Sequence, residues 1–147
     1  MNRASLHRVS SARVILVIED DLHVLRQIAR VLTFGGFIAI EAPTTETAWS
    51  LLDEGLRPDA VVLDLRMPGV GGLGFLLRLR AAPQYASVPV TILTGDVFID
   101  STTEAAALAM GATLIFQPLE KQNILRLVQD MMHPQPDTPR PACAGSF

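Results

Sequence analysis

A doubly wound α/β fold, with five parallel strands in one sheet and helices on both faces, is what three features of this chain predict. Short apolar runs rich in β-branched residues recur five times, helix-period stretches separate them, and glycines stand at the ends of several of those stretches. Continuous apolar strands joined by crossover helices imply a parallel sheet covered on both sides.

The first strand is VILVI, residues 14–18, too short and too β-branched to be a helix of its own. Leu22, Leu25, Ile28, Ala29 and Leu32 then mark a helical stripe, and Gly35 stands where a helix end wants it. FIAI (37–40) reads as the second strand and 44–54 as the second helix, followed by Gly55. DAVVL (59–63) is the third strand and 72–81 the third helix. VPVTIL (88–93) leads into a fourth helix over 101–110, stopped at Gly111. TLIF (113–116) is the fifth strand, and Ile124, Leu125, Val128, Met131 and Met132 mark a fifth helix.

Composition agrees with one folded unit. The chain has 147 residues, 49% of them hydrophobic and 18% charged, where a soluble domain carries about 25% charged residues. That permits a substantial core and argues against disorder. The net charge is −3, and Lys and Arg are scattered with no aromatic residues interleaved, which excludes direct nucleic-acid binding. No apolar run approaches the roughly 18 residues of a membrane span. The start, MNRASLHRVSSARVILVIEDD, has too short an apolar stretch for a signal peptide; its Arg- and Ser-rich character reads as an unstructured leader in preference to a transit peptide. The single cysteine, Cys143, excludes an internal disulfide and a zinc cage, and a reducing, cytoplasmic setting fits. PQPDTPRPACAGSF holds four of the ten prolines and reads as an extended tail. The expected organisation is a leader over 1–12, a folded domain over 13–133 and a Pro-rich tail over 134–147.

In open parallel sheets, ligands bind beyond the carboxyl ends of the strands, where strand order reverses. After the first strand comes Glu19-Asp20-Asp21, after the third Asp64, after the fourth Thr94-Gly95-Asp96 and after the fifth Gln117-Pro118. With the flavodoxin-like order 2-1-3-4-5, the first and third strands are neighbours and their carboxylates converge. Like charges so close raise one another's pKa unless a cation or hydrogen bonds hold them ionised. Mg²⁺, with its preference for oxygen ligands, answers that need. Acids, a hydroxyl and a metal together make a site for accepting a phosphoryl group on a carboxylate. Plainer readings stand beside this one. Asp21 starts the first helix, Thr94 could satisfy turn backbone groups, Met67-Pro68-Gly69 is a turn, and Trp49 and Met131-Met132 are packing residues. The three histidines have no neighbouring nucleophile to serve.

The segments VILVIEDD, VVLDLRMPGVGG, ILTGD and GATLIFQP, in that order and at these spacings, resemble the receiver domain of two-component response regulators across the whole folded unit. The resemblance implies that Asp64 is the phosphoacceptor and that Glu19 and Asp20, directly or through water, help hold Mg²⁺ with Asp64 and the main-chain carbonyl of Arg66. It implies that Thr94 donates its hydroxyl to the phosphoryl group and that small Gly95 leaves access for a donor. It further implies a histidine kinase or histidine phosphotransfer protein as donor and a downstream protein as target, with no DNA-binding or enzymatic domain after residue 133. The chain departs from the family at Gln117, where a Lys usually precedes the proline, at Leu114, where an aromatic residue is common, and at Gly71, where an Asp is common. The stretch from Gly111 to Gln117 reads as one residue shorter than usual, which leaves the alignment there open by one place.

Three functions are therefore weighed. The first is a stand-alone receiver phosphorylated on Asp64, with Lys121 or Arg66 supplying the missing cation. The second is a degenerate receiver that docks, or forms a homodimer, through its fourth helix, fifth strand and fifth helix, where Ala105, Ala106, Ala107 and Leu119 form a small-residue, apolar surface. The third is an aspartate-nucleophile phosphohydrolase, which would want a second Asp two residues after Asp64 where this chain has Arg66.

Overall fold

The chain folds as five parallel strands and their crossover helices; the computed structural model describes residues 12–67, 71–94, 101–116, 125, 126, 129 and 130. In chain order the elements are β1 (Val14–Ile18), α1 (Leu22–Phe34), β2 (Ile38–Ala42), α2 (Thr45–Asp53), β3 (Ala60–Asp64), α3 (Gly71–Ala81), a 3-10 turn (Pro83–Tyr85), β4 (Val90–Thr94), α4 (Ser101–Ala109) and β5 (Thr113–Phe116). The sheet order is β2-β1-β3-β4-β5, as expected, and every pairing is parallel. Residues 125, 126, 129 and 130 are helical. The remaining positions of the fifth-helix stripe, the leader through residue 11 and the tail lie outside the described residues.

The three central strands β1, β3 and β4 are buried on both faces, while β2 and residues 113–115 of β5, at the sheet edges, are half-buried to exposed apart from Ala42, so the core has two halves. On one face, Trp49 and Leu52 of α2, Phe75, Leu76 and Leu79 of α3 and Ala107 of α4 pack on Leu16, Ile18, Val61, Leu63 and Ile92. On the other, Leu25, Ile28, Val31 and Leu32 of α1, with Leu125 beside them, pack on Ile15, Val17, Val62 and Leu93. Trp49 is a packing residue, as the sequence suggests: its ring lies 5.2 Å from that of Phe75, with the Arg78 guanidinium 4.1 Å above it.

Local chemistry sets the element ends. Asp21 caps α1, its Oδ1 accepting from the N–H groups of His23 at 2.9 Å and Val24 at 3.3 Å. Thr44 does the same for α2 through the Thr47 N–H. Several expectations change. Strand β2 runs to Ala42, and β3 and β4 each end one residue later than their apolar runs, because parallel neighbours extend the pairing (Ile18 with Ala42, Asp64 with Leu93). Leu22 is 57% exposed and leaves the apolar stripe of α1, where Val31 is buried instead. Behind α1, Gly36 and not Gly35 takes the left-handed conformation, at φ 94°. Gly35 lies close against the Leu125 side chain, which an added Cβ there would displace. Of the proposed small-residue surface on α4, Ala105 is exposed and Ala106 half-buried, but Ala107 is fully buried in the core, and Leu119 lies outside the described residues.

Candidate functional site

Strands β1 and β3 are hydrogen-bonded neighbours, with Ile18 opposite Leu63, so Asp64 at the end of β3 and the residues just past β1 meet at one rim. Carboxylate oxygens of Glu19, Asp20 and Asp64 lie within 4.8 Å of one another. Asp64 is the last residue of β3 and is half-buried; Glu19 is only 6% exposed, while Asp20 faces solvent. The backbone holds this arrangement from several sides. Glu19 donates its N–H to the Ala42 carbonyl at 3.2 Å and accepts from the Asp21 N–H at 3.1 Å. Asp64 Oδ1 accepts from the Arg66 N–H at 3.3 Å.

Carboxylates gathered in so small a volume repel one another, and burial adds to the cost of their charge. Burial, more than any other cause, pushes the Glu19 carboxyl up to about 8 against the pull of the Asp21 N–H, and the charge of Asp64 adds to the rise. Burial also raises Asp64, which hydrogen bonds from Glu19 and from the Arg66 N–H pull back down. Without metal, burial and the neighbouring charge thus favour a protonated Glu19 beside Asp64. The donor set is all hard oxygen, with two to three carboxylates and room at the solvent-facing Asp20, which fits Mg²⁺.

The other predicted residues fall as follows. Thr94 ends β4, fully buried, one residue beyond Leu93, the register partner of Asp64. Arg66 follows the strand with its side chain exposed and contributes its N–H to Asp64. Met67 is buried; Pro68 and Gly69 lie outside the described residues, as do Gly95, Gln117, Pro118 and Lys121. Leu114 pairs with Ile92 and packs, half-buried, against the core half that carries α2, α3 and α4. One residue was missed by sequence reasoning. Gly72, at the start of α3, donates its N–H to the Leu65 carbonyl at 3.0 Å and lies against the backbone just after Asp64. Its only trace in the sequence is the pair Gly71-Gly72 opening a helix, where glycine is otherwise unfavourable.

Comparison with known proteins agrees with this geometry. Residues 15–129 match the family model described as the response regulator receiver domain. The chain is 38% identical over 105 residues to the transcriptional regulatory protein PrrA of Mycobacterium tuberculosis, covering 71% of this chain and 42% of that protein. It is 35% identical over 83 residues to the phosphate regulon transcriptional regulatory protein PhoB of Escherichia coli, covering 56% of this chain and 36% of that one. The chain thus spans about two fifths of the length of the curated relatives named here. Among solved structures, a putative response regulator from Chloroflexus aurantiacus superposes with a TM-score of 0.75 at 26% identity, over 84% of this chain and 99% of that one. The chemotaxis protein CheY4 of Vibrio cholerae, at 21% identity and a TM-score of 0.75 over 82% of this chain and 99% of that one, shares the fold.

Proposed function

Because the chain belongs to the response regulator receiver domain family, whose members are signalling domains and not classical enzymes, we propose that it accepts a phosphoryl group on Asp64. A histidine kinase or histidine phosphotransfer protein is the donor, and the phosphorylated domain signals through contacts with a downstream protein in the cytoplasm. The observation that carries this reading is the gathering of Glu19, Asp20 and Asp64 within 4.8 Å at the rim of adjacent strands.

In this reading an Asp64 carboxylate oxygen attacks the phosphorus of a phosphohistidine in line. The P–O bond forms as the P–N bond breaks, and the imidazole departs with the electron pair. Glu19, Asp20, Asp64 and the main-chain carbonyl of Arg66 would hold Mg²⁺, which when bound supplies positive charge against the phosphoryl oxygens. The proton on Glu19 must leave before that ion is held, and the backbone N–H on Asp64 Oδ1 keeps the nucleophile oriented while it does. The Thr94 hydroxyl donates to the phosphoryl group, and the Gln117 amide serves as a neutral donor where the family usually has a cation.

The test is direct. With Mg²⁺ and a small acyl phosphate donor, the protein forms an acid-stable, base-labile adduct one phosphoryl group heavier by mass spectrometry, and Asp64→Asn forms none. Equal labelling of Asp64→Asn, or no adduct with any donor, would remove the reading. The docking alternative draws on Leu114, which puts no ring under α4 to rotate on phosphorylation. It expects partner binding or dimerisation through α4, β5 and the fifth helix that is the same for the phosphorylated and unphosphorylated protein.

A further inference from the structure

Helix α3 begins almost in contact with the chain that leaves Asp64. A Cβ added at Gly72 would lie 2.5 Å from the Asp64 carbonyl oxygen, 2.7 Å from the Leu65 Cα and 2.9 Å from the Leu65 carbonyl oxygen. All three atoms are backbone, so no rotamer change can make room. The φ of Gly72 is not in the left-handed region, which leaves space and not conformation as the reason for glycine. A glycine at the second position of a helix costs the fold some conformational entropy relative to alanine. That cost is offset only if the close approach matters.

What the approach does is clamp one short piece of chain from two sides. The Gly72 N–H binds the Leu65 carbonyl at 3.0 Å from the α3 side. From the β4 side, the Leu93 carbonyl accepts the Leu65 N–H at 3.4 Å. The next residue, Arg66, aims its N–H at Asp64 Oδ1, and its carbonyl is the proposed fourth oxygen of the metal site. We propose that Gly72 is a positioning residue: by letting the α3 N-terminus seat on the Asp64–Leu65 backbone, it sets where the Asp64 carboxylate and the Arg66 peptide stand relative to Glu19 and Asp20. This rests on the metal and phosphoacceptor roles given above and adds to them a residue that touches neither metal nor phosphoryl group. A side chain at 72 must push α3 and the peptide after Asp64 apart by several tenths of an ångström, and displacements of that order matter at a site built from fixed oxygens.

Gly72→Ala is expected to weaken Mg²⁺ binding at least tenfold by titration calorimetry at a temperature where circular dichroism shows it folded. Gly55→Ala, which unlike Gly72 sits at positive φ but precedes the start of β3, at the other end of that strand from Asp64, and has nothing within 4 Å of its added Cβ, is expected to keep wild-type affinity. In the metal-free protein, amide hydrogen exchange at Leu65 and Arg66 should speed up about tenfold in Gly72→Ala, with little change along β1. Should Gly72→Ala not fold, Gly71→Ala takes its place, because strain at φ +73° displaces the same helix start without inserting an atom against Asp64; a severalfold loss of affinity is then expected. Wild-type Mg²⁺ affinity in the folded variant, or unchanged exchange at Leu65 and Arg66, overturns the positioning role. A wild-type protein that binds Mg²⁺ but takes no phosphoryl group would defeat the proposed function alone, and the affinity comparison would still decide the role of Gly72.

Discussion

In the proposed receiver reading, residue 117 takes the family's cation position, and an amide there in place of an ammonium removes one full charge. A charge-assisted hydrogen bond is about twice as strong as a neutral one, so Gln117 should hold a phosphoryl group on Asp64 less firmly than the usual lysine would. Gln117→Lys is expected to increase the coupling between Asp64 phosphorylation and α4 by about tenfold in equilibrium terms, near 1.4 kcal/mol. Amide chemical shifts across residues 101–109, compared before and after phosphorylation, measure this; identical shifts in the phosphorylated wild type and variant would count against it. The oddity at Gln117 is readable in sequence because it departs from a specific motif. The role of Gly72 is not, because a glycine's silence about what lies against it is broken only when the opposing backbone is seen.

Among the elements, α3, the 3-10 turn and the end of α4 are tied together by a single side chain. Arg80 donates from Nε to the Met110 carbonyl at 2.7 Å, and from one terminal nitrogen to the carbonyls of Val88 at 2.7 Å and of Tyr85 and Ala86 at 3.3 Å. A cation there also meets the negative end of α4. Tyr85 extends the tie to α2, with its hydroxyl on the Leu52 carbonyl at 3.1 Å. Replacing Arg80 by Met leaves half-buried carbonyls without their partner and should cost about 2 kcal/mol. Urea unfolding should show that loss, with hydrogen exchange quickening first at 107–112 and 85–88; an unchanged midpoint would show that water satisfies those carbonyls as well as Arg80 does. Sequence periodicity placed α2, α3 and α4 within a residue at each end but did not anticipate the 3-10 turn. It could not reveal the tie, since the five positions are separated by up to 30 residues and share no repeating pattern.

For the molecule as a whole, the acid cluster makes stability depend on pH and metal together. Glu19 rests at about 8 in the folded protein against an ordinary 4.5, so metal-free folded chains hold a proton that unfolded chains release between those values. Stability should be full below the lower value and fall as pH rises through the window toward the upper one. A decrease in Tm on the order of 5 °C from about pH 5 to about pH 8 is expected without metal, flattened in Glu19→Gln. Mg²⁺ competes with that proton, so it should raise Tm more at about pH 8 than at about pH 6. A Tm that is flat in both proteins, or a larger Mg²⁺ effect at the lower pH, would contradict the assignment. By itself the sequence determined the parallel α/β order and the arrival of Glu19, Asp20 and Asp64 at strand ends, because burial on both faces demands continuous apolar runs and the residues that break them announce the rim. Only the tertiary structure decided that burial raises the Glu19 carboxyl above its ordinary range, that Gly36 and not Gly35 turns the chain, and that Gly72 seats α3 against Asp64. Each depends on atoms brought close by packing between distant segments, and no local pattern encodes such distances.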